Sequence, residues 1–272
     1  MNIYTKWLFA PSGGAFALPW TMLAVQQAQA YAVLQPWLAR LDPVHWGWGW
    51  QTSSSDSIPQ EDMLSMATFW QVLAVTVLFC LNVGFNSLSL VEISITLNQT
   101  VRAFLPAGVL LLAKCIEQRD YHPHSYWTTI VLVGGIALAC WGSPDFRPYG
   151  FGLALLSTCV AALGTSLNGR LLSSGPFSKS SRSASFGIAR LIMLQSLPAF
   201  CMFSFVAWWT ERDALRAILS EGGRWTWCQR VVLVSLSSCL ALLSNLGRCF
   251  LVAATSALME TMAGNAKVAA LC

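Results

Sequence analysis

Charge is what this chain has least of. Only 10% of its 272 residues are Asp, Glu, Lys or Arg, and 16 bases against 12 acids leave a net charge of +4 with no basic run. A soluble domain carries about a quarter charged residues, so the composition speaks against a soluble fold. Without a basic stripe or aromatic–basic interleaving, a nucleic-acid groove is excluded too. There is no Walker loop, no GxGxxG after a strand, no GxSxG elbow and no HExxH. Nothing therefore names a catalytic residue or a cofactor, and the chain does not read as an enzyme. His45, His122 and His124 lack an acid or cysteine at ligand spacing, which argues against a metal. Cysteine is plentiful but never in CxxC spacing, so Cys80, Cys140, Cys159, Cys201, Cys239 and Cys249 read as small buried hydrophobes. Nothing ahead of the first apolar run reads as a secretory or transit peptide.

What is present is apolar length. The chain is 55% hydrophobic with 13 Trp, and its mean hydropathy is +0.55. Runs of bilayer length, about 20 residues, lie at Ala15–Leu38, Leu64–Leu88, Ser94–Lys114, Tyr126–Trp141, Phe151–Leu172, Ile188–Trp209 and Val231–Ala254, with an unfinished one from Thr255 to Cys272. Without alternating strands, such spans must satisfy their backbone as helices, so the expected fold is an all-α polytopic membrane bundle. Trp falls mainly at run ends, as in "HWGWGW", Trp127, Trp141 and Trp208-Trp209, where headgroups favour amphipathic rings. Lys and Arg are spread evenly over alternate loops, so orientation stays open. An internal echo links Asn82-Val83-Gly84, followed by Arg102, with Asn245-Leu246-Gly247, followed by Lys267. It fits a transporter of two repeats.

Arg102, Glu260 and Lys267 are the charges set in mid-span. Each faces a cavity or a partner, because a bare charge in lipid costs at least a few kcal/mol. Glu260 and Lys267 share a helix face, but two turns, about 11 Å, keep them from bonding directly. For Glu260 the alternatives are a structural pair with Arg248 or Arg102, or a part in substrate or proton coupling; for Lys267, snorkelling to the interface or a site. Pro106 breaks the helix after Arg102 and frees carbonyls beside the charge. Gln26, Gln27, Gln29, Asn98 and Gln99 could line a polar path or join helices.

Four segments carry a family resemblance. "TSALMETMAGNAKVA", "ISITLNQTVRAFLP", "NIYTKWLF" with "GGAFALPWTMLAVQQ", and "LIMLQSLPAF" resemble, in order, signatures of the triose-phosphate and nucleotide-sugar transporter family, from Asn2 to Ala270. The resemblance implies the drug/metabolite transporter fold: two inverted repeats, here 1–145 and an incomplete 146–272, the chain beginning inside the first helix and ending inside the ninth. It implies an antiporter of nucleotide-sugars or sugar phosphates, working by alternating access in a Golgi or ER membrane, or alternatively a plastid envelope, with a homodimer allowed. Lys267 matches the family lysine that holds a phosphate oxygen, and Gly264 and Asn265 match positions where backbone lies near substrate. Arg102, Asn98 and Gln99 would face them across the pseudo-twofold, with Glu260 beside the site. Arg170 falls near a second phosphate base, though an interfacial arginine suits it better. Val268 after Lys267 departs from the plastid exchangers, and Glu260 must be paired or protonated beside an anion. The competing expectations are a truncated, non-transporting membrane interaction protein and an exporter of apolar metabolites.

Overall fold

The computed structural model describes residues 18–41, 66–116, 122–141, 146–173, 184–220, 224–256 and 258–264. Among these residues the chain is helical and forms no strand. The helices are α1 (Pro19–Leu41), α2 (Met66–Glu92), α3 (Ile95–Arg102), α4 (Leu105–Ile116), α5 (Pro123–Trp141), α6 (Pro148–Ser173), α7 (Ala184–Ser220) and α8 (Arg224–Ala254), and 258–264 are helical as well. Five stretches are long and apolar enough to cross a bilayer: Met66–Glu92, Ile95–Leu112, Pro148–Leu172, Gly187–Asp213 and Val234–Ala254. The expected polytopic helical bundle is thus what the chain forms.

Two boundaries differ from those expected. The connector from Glu211 to Arg230 is largely helix, since α7 runs to Ser220 and α8 begins at Arg224. The segment "ERDALRAILS" is rich in Ala, Leu, Arg and Glu, strong helix formers that extend a helix past its apolar part. The cysteines also need correcting. Cys80 is buried, but Cys159, Cys201 and Cys239 are exposed. In a membrane helix the outward face is apolar as well, so an apolar run does not tell which side meets protein. The same reason leaves Trp127, Trp141, Trp208 and Trp209 exposed, as their positions at run ends implied.

Contacts divide the chain into two compact units, Met1–Thr76 with Ile188–Gly247, and Val77–Gly187 with Arg248–Cys272. In the first, Leu18, Met22, Val72, Val75, Leu191, Leu194 and Phe203 are fully buried, and the Trp20 and Phe203 rings lie 6.2 Å apart. Side-chain amides join its helices: Gln26 Nε2 donates to Ser237 Oγ at 3.1 Å, and Gln29 Nε2 approaches Cys239 Sγ at 3.4 Å. Such bonds hold helices together where burial of apolar surface gives little, lipid being as apolar as leucine.

In the second unit α3 packs on α5 and α6, and α4 on the same two helices. Ile93, Leu97, Val101, Ile136 and Ala154 form one cluster, and Val109, Leu110, Ala162 and Leu258 another. The helices approach closely at small residues. A Cβ on Gly108 would lie 2.9 Å from that of Ala162, and one on Gly150 only 2.6 Å from the Cβ of Glu92. Small residues at contacts let helix backbones come together in a membrane.

Candidate functional site

Three local features of the second unit position its charged side chains. Ser94 caps α3, its hydroxyl accepting from Leu97 N–H at 3.4 Å. Pro106 then ends that helix. It has no N–H for the Arg102 carbonyl and its ring crowds that carbonyl, so α3 stops at Arg102 and α4 starts at Leu105. Ala103 keeps a near-helical backbone, φ −65° and ψ −11°. The third feature is a helix start at Ser256, whose hydroxyl accepts from Met259 N–H at 3.3 Å and whose carbonyl accepts from Glu260 N–H at 3.2 Å. That start sets Glu260 in a first helical turn, where the helix dipole favours an acid.

The charges meet there. Arg248 Nε donates to Glu260 Oε1 at 2.7 Å, with the Glu260 side chain 8% exposed and that of Arg248 53% exposed. Glu260 Oε2 is buried with no hydrogen-bond partner among the described residues. Arg102 lies close enough to Arg248 for the two positive charges to repel. Its Nη2 donates to Asn82 Oδ1 at 3.4 Å, an oxygen that also accepts from Ser157 Oγ at 2.9 Å. Gln99, one turn before Arg102, has a buried amide nitrogen with no acceptor among the described residues. Asn98 is spent differently: it is fully buried and its amide donates to Ser89 Oγ, tying α3 to α2.

Of the residues singled out in the sequence, the structure therefore brings Arg102 and Glu260 together through Arg248, with Gln99 on the Arg102 face. Asn98 turns to Ser89 instead. Gly264 ends the described part of its helix, and a Cβ there would meet nothing within 4 Å. Lys267 and Asn265 lie outside the described residues. Arg170 is exposed in the last turn of α6. Asn82 and Ser157 were not singled out as binding groups, because uncharged side chains in a span give no signal of their own. Glu211 was missed as well. It sits at the end of an apolar run and reads as connector, yet it is buried and accepts from Trp20 N–H, Thr21 N–H and Thr21 Oγ1.

Among the described residues, the guanidinium and amide donors around Arg102 outnumber the acceptors offered to them, and guanidinium suits planar or tetrahedral oxyanions. No group of three or more His, Cys, Asp and Glu side chains among the described residues is placed to hold a metal. An apolar cleft of about 200 Å³ in the first unit, lined by Phe69, Val72, Leu73, Leu197, Pro198 and Cys201, has no group for an anion.

The Triose-phosphate Transporter family's model matches residues 1–262. The chain belongs to this family. Among its relatives, "Probable sugar phosphate/phosphate translocator" of Arabidopsis thaliana is 27% identical over 213 residues, 77% of this chain and 65% of the relative. "UDP-uronic acid transporter 1" of the same plant is 26% identical over 212 residues, 77% of this chain and 65% of the relative. "Solute carrier family 35 member E4" of Rattus norvegicus is 26% identical over 268 residues, 98% of this chain and 66% of the relative. The chain spans 65% of the first of these and 56% of another Arabidopsis sugar phosphate/phosphate translocator. With its apolar helices, this Triose-phosphate Transporter family member is an integral membrane protein.

Proposed function

We propose that this chain carries nucleotide-sugars or sugar phosphates across a membrane as an antiporter, by alternating access of two inverted repeats, 1–145 and 146–272. The observation that carries the reading is Arg102 and Arg248, each within a stretch apolar enough to span a bilayer, with Glu260 paired to Arg248 from the short helix that follows. Ionisable groups kept at membrane depth mark substrate paths. Relatives named for UDP-galactose and GDP-mannose support a nucleotide-sugar cargo, which under this reading puts the carrier in a Golgi or ER membrane, with a plastid sugar phosphate second. Lys267 neutralises a phosphate oxygen as a point charge, and Gly264 and Asn265 offer backbone and amide contacts close to it. Arg102 and Gln99 supply further donors, and Asn98 fixes the helix that presents them.

The test is exchange in proteoliposomes preloaded with a nucleoside monophosphate or inorganic phosphate. Lys267→Ala abolishes uptake of labelled nucleotide-sugar or sugar phosphate while the protein still inserts and runs as a single species in detergent. Uptake by that variant at the unsubstituted rate overturns the assignment of Lys267. Uptake that needs no internal counter-substrate overturns antiport.

A further inference from the structure

In each compact unit, helices of one proposed repeat are bonded to helices of the other. Helices α1 to α5 end at Trp141 and fall in 1–145, while α6 to α8 start at Pro148 and fall in 146–272. In the first unit α1 is held by α7 and α8. Glu211 of α7 takes the N–H groups of Trp20 and Thr21 and the Thr21 hydroxyl, and the Trp20 ring meets Phe203 of the same helix. Gln26 Nε2 donates to Ser237 Oγ of α8 at 3.1 Å, and one turn on Gln29 Nε2 reaches Cys239 Sγ at 3.4 Å. In the second unit α6 is held by helices of 1–145. Ser157 Oγ donates to Asn82 Oδ1 of α2 at 2.9 Å, and Val109 and Leu110 of α4 share a buried cluster with Ala162 and Leu258. A Cβ added to Gly108 would stand 2.9 Å from Ala162 Cβ, so the α4 and α6 backbones touch with no side chain between them. Prising α1 from α7 would strand a buried carboxylate and two backbone donors where lipid offers no replacement. Sliding α4 along α6 would drive side chains into a contact that admits none.

We propose that the bodies that move in the transport cycle are the two compact units, Met1–Thr76 with Ile188–Gly247 and Val77–Gly187 with Arg248–Cys272, each built from both repeats. Helix α1 then travels with α7 and with α8 as far as Gly247, and α3 and α4 travel with α6. The inference rests on the reading of the chain as an alternating-access carrier and assigns the helices that stay together while it works. The repeats supply the symmetry of the cycle, and the units supply its rigid parts, because packed contacts shift as blocks rather than deform continuously.

A reversible covalent link between α1 and α8 tests this, because it ties one repeat to the other inside a single unit. Gln29→Cys sets a second thiol against Cys239, which is exposed and already lies 3.4 Å from the Gln29 amide. An ethylene bis-methanethiosulfonate joins the two thiols through disulfides that dithiothreitol reverses, and peptide mass spectrometry reads the link. Exchange of labelled UDP-galactose against internal uridine monophosphate, and of labelled against internal inorganic phosphate, is measured in proteoliposomes before linking, after it and after reduction, with the unsubstituted chain treated alongside. Linked Q29C is expected to exchange within about twofold of its reduced form, the scatter of a substitution outside any critical contact. A fall of at least about tenfold on linking, restored by reduction and absent from the unsubstituted chain, is the result for repeats that move as bodies, and it overturns the inference. Glu211→Ala gives a second reading free of thiol chemistry. If the tie of α1 to α7 opened in every cycle, its loss would speed exchange per folded molecule; a tie kept throughout leaves the rate unchanged or lower, and a faster variant overturns the inference. Absence of exchange of both probes by the unsubstituted chain overturns the carrier reading itself, and the inference with it.

Discussion

The Glu211 carboxylate caps the distant helix that begins at Pro19: its Oε2 accepts from Thr21 N–H at 2.9 Å and from Thr21 Oγ1 at 2.7 Å, while Oε1 accepts from Trp20 N–H at 2.8 Å. The local sequence explains the need. Leu18 stands where a Ser or Asp would cap, and its side chain has nothing to accept with. Pro19, the first helical residue, brings no N–H and a suitable φ. The next two N–H groups are left without intrahelical acceptors, and Glu211 takes both. The negative charge also faces the positive end of the helix dipole.

Removing that cap has a graded outcome. Glu211→Ala strands two backbone donors and a hydroxyl and costs about 2–3 kcal/mol, the range for lost charged hydrogen bonds. Glu211→Gln keeps one acceptor and costs about half as much. Denaturant unfolding in detergent reads both. Equal stability of Glu211→Ala and the unsubstituted chain would show that the N-terminus of α1 finds other partners.

The Arg248–Glu260 pair couples a half-open guanidinium to a buried carboxylate, so the two single substitutions are not equivalent. Arg248→Gln leaves Glu260 buried and uncompensated, about 3 kcal/mol worse. Glu260→Gln leaves Arg248 free to reach water and costs about 1 kcal/mol or less. The double variant regains most of the loss, giving a coupling energy of about 1–3 kcal/mol in a double-mutant cycle. Additive single effects would mean that the pair does not interact in solution.

How much of this was legible depended on whether a residue's chemistry left a mark in one dimension. An acid in an apolar run demands a base or a part in coupling, and of the two bases weighed for Glu260, Arg248 and Arg102, the structure pairs it with Arg248. A proline in mid-span stops a helix by its own ring, so Pro106 placed the break after Arg102. The unfinished run from Thr255 was legible, and Ser256 caps the helix that begins there. The glutamines of α1 were open between lining a path and joining helices, and Gln26 is bonded to Ser237. What stayed hidden needed three dimensions. Asn82 and Ser157 matter through their position beside Arg102, which neither side chain announces. Glu211 serves a helix end far away in sequence. The reading of the cysteines as buried failed at Cys159, Cys201 and Cys239, because apolar character is the same on both faces of a membrane helix.

Gly150 gives a test of packing free of charge. A Cβ there would sit 2.6 Å from Glu92 Cβ and 2.7 Å from Ile93 Cγ2. Neither atom is the end of a flexible side chain, so backbone has to move. Gly150→Ala is expected to cost about 1–3 kcal/mol. Gly152, two residues on in the same helix, has open space around its Cβ position, and Gly152→Ala gains up to about 1 kcal/mol from helix propensity. Melting temperatures that move the same way in both variants would contradict the close approach of α6 to the α2–α3 turn.

The break at Pro106 separates stability from function. Ala103 already holds φ −65° and ψ −11°, and Phe104 N–H bonds the Val101 carbonyl at 3.0 Å in a tightened turn. Little backbone movement separates this turn from continuous helix. Pro106→Ala supplies the missing N–H and removes the ring from the Arg102 carbonyl, so α3 and α4 can join. A regained bond is worth about 0.5–1.5 kcal/mol, and the variant should unfold at higher denaturant. The same change rotates Arg102 relative to Asn82 and fills the carbonyl freed beside it. If the interruption serves the transport cycle, exchange in proteoliposomes slows while stability rises. A variant both more stable and equally fast would make the break a packing feature, and would leave Arg102 to act from an unbroken helix.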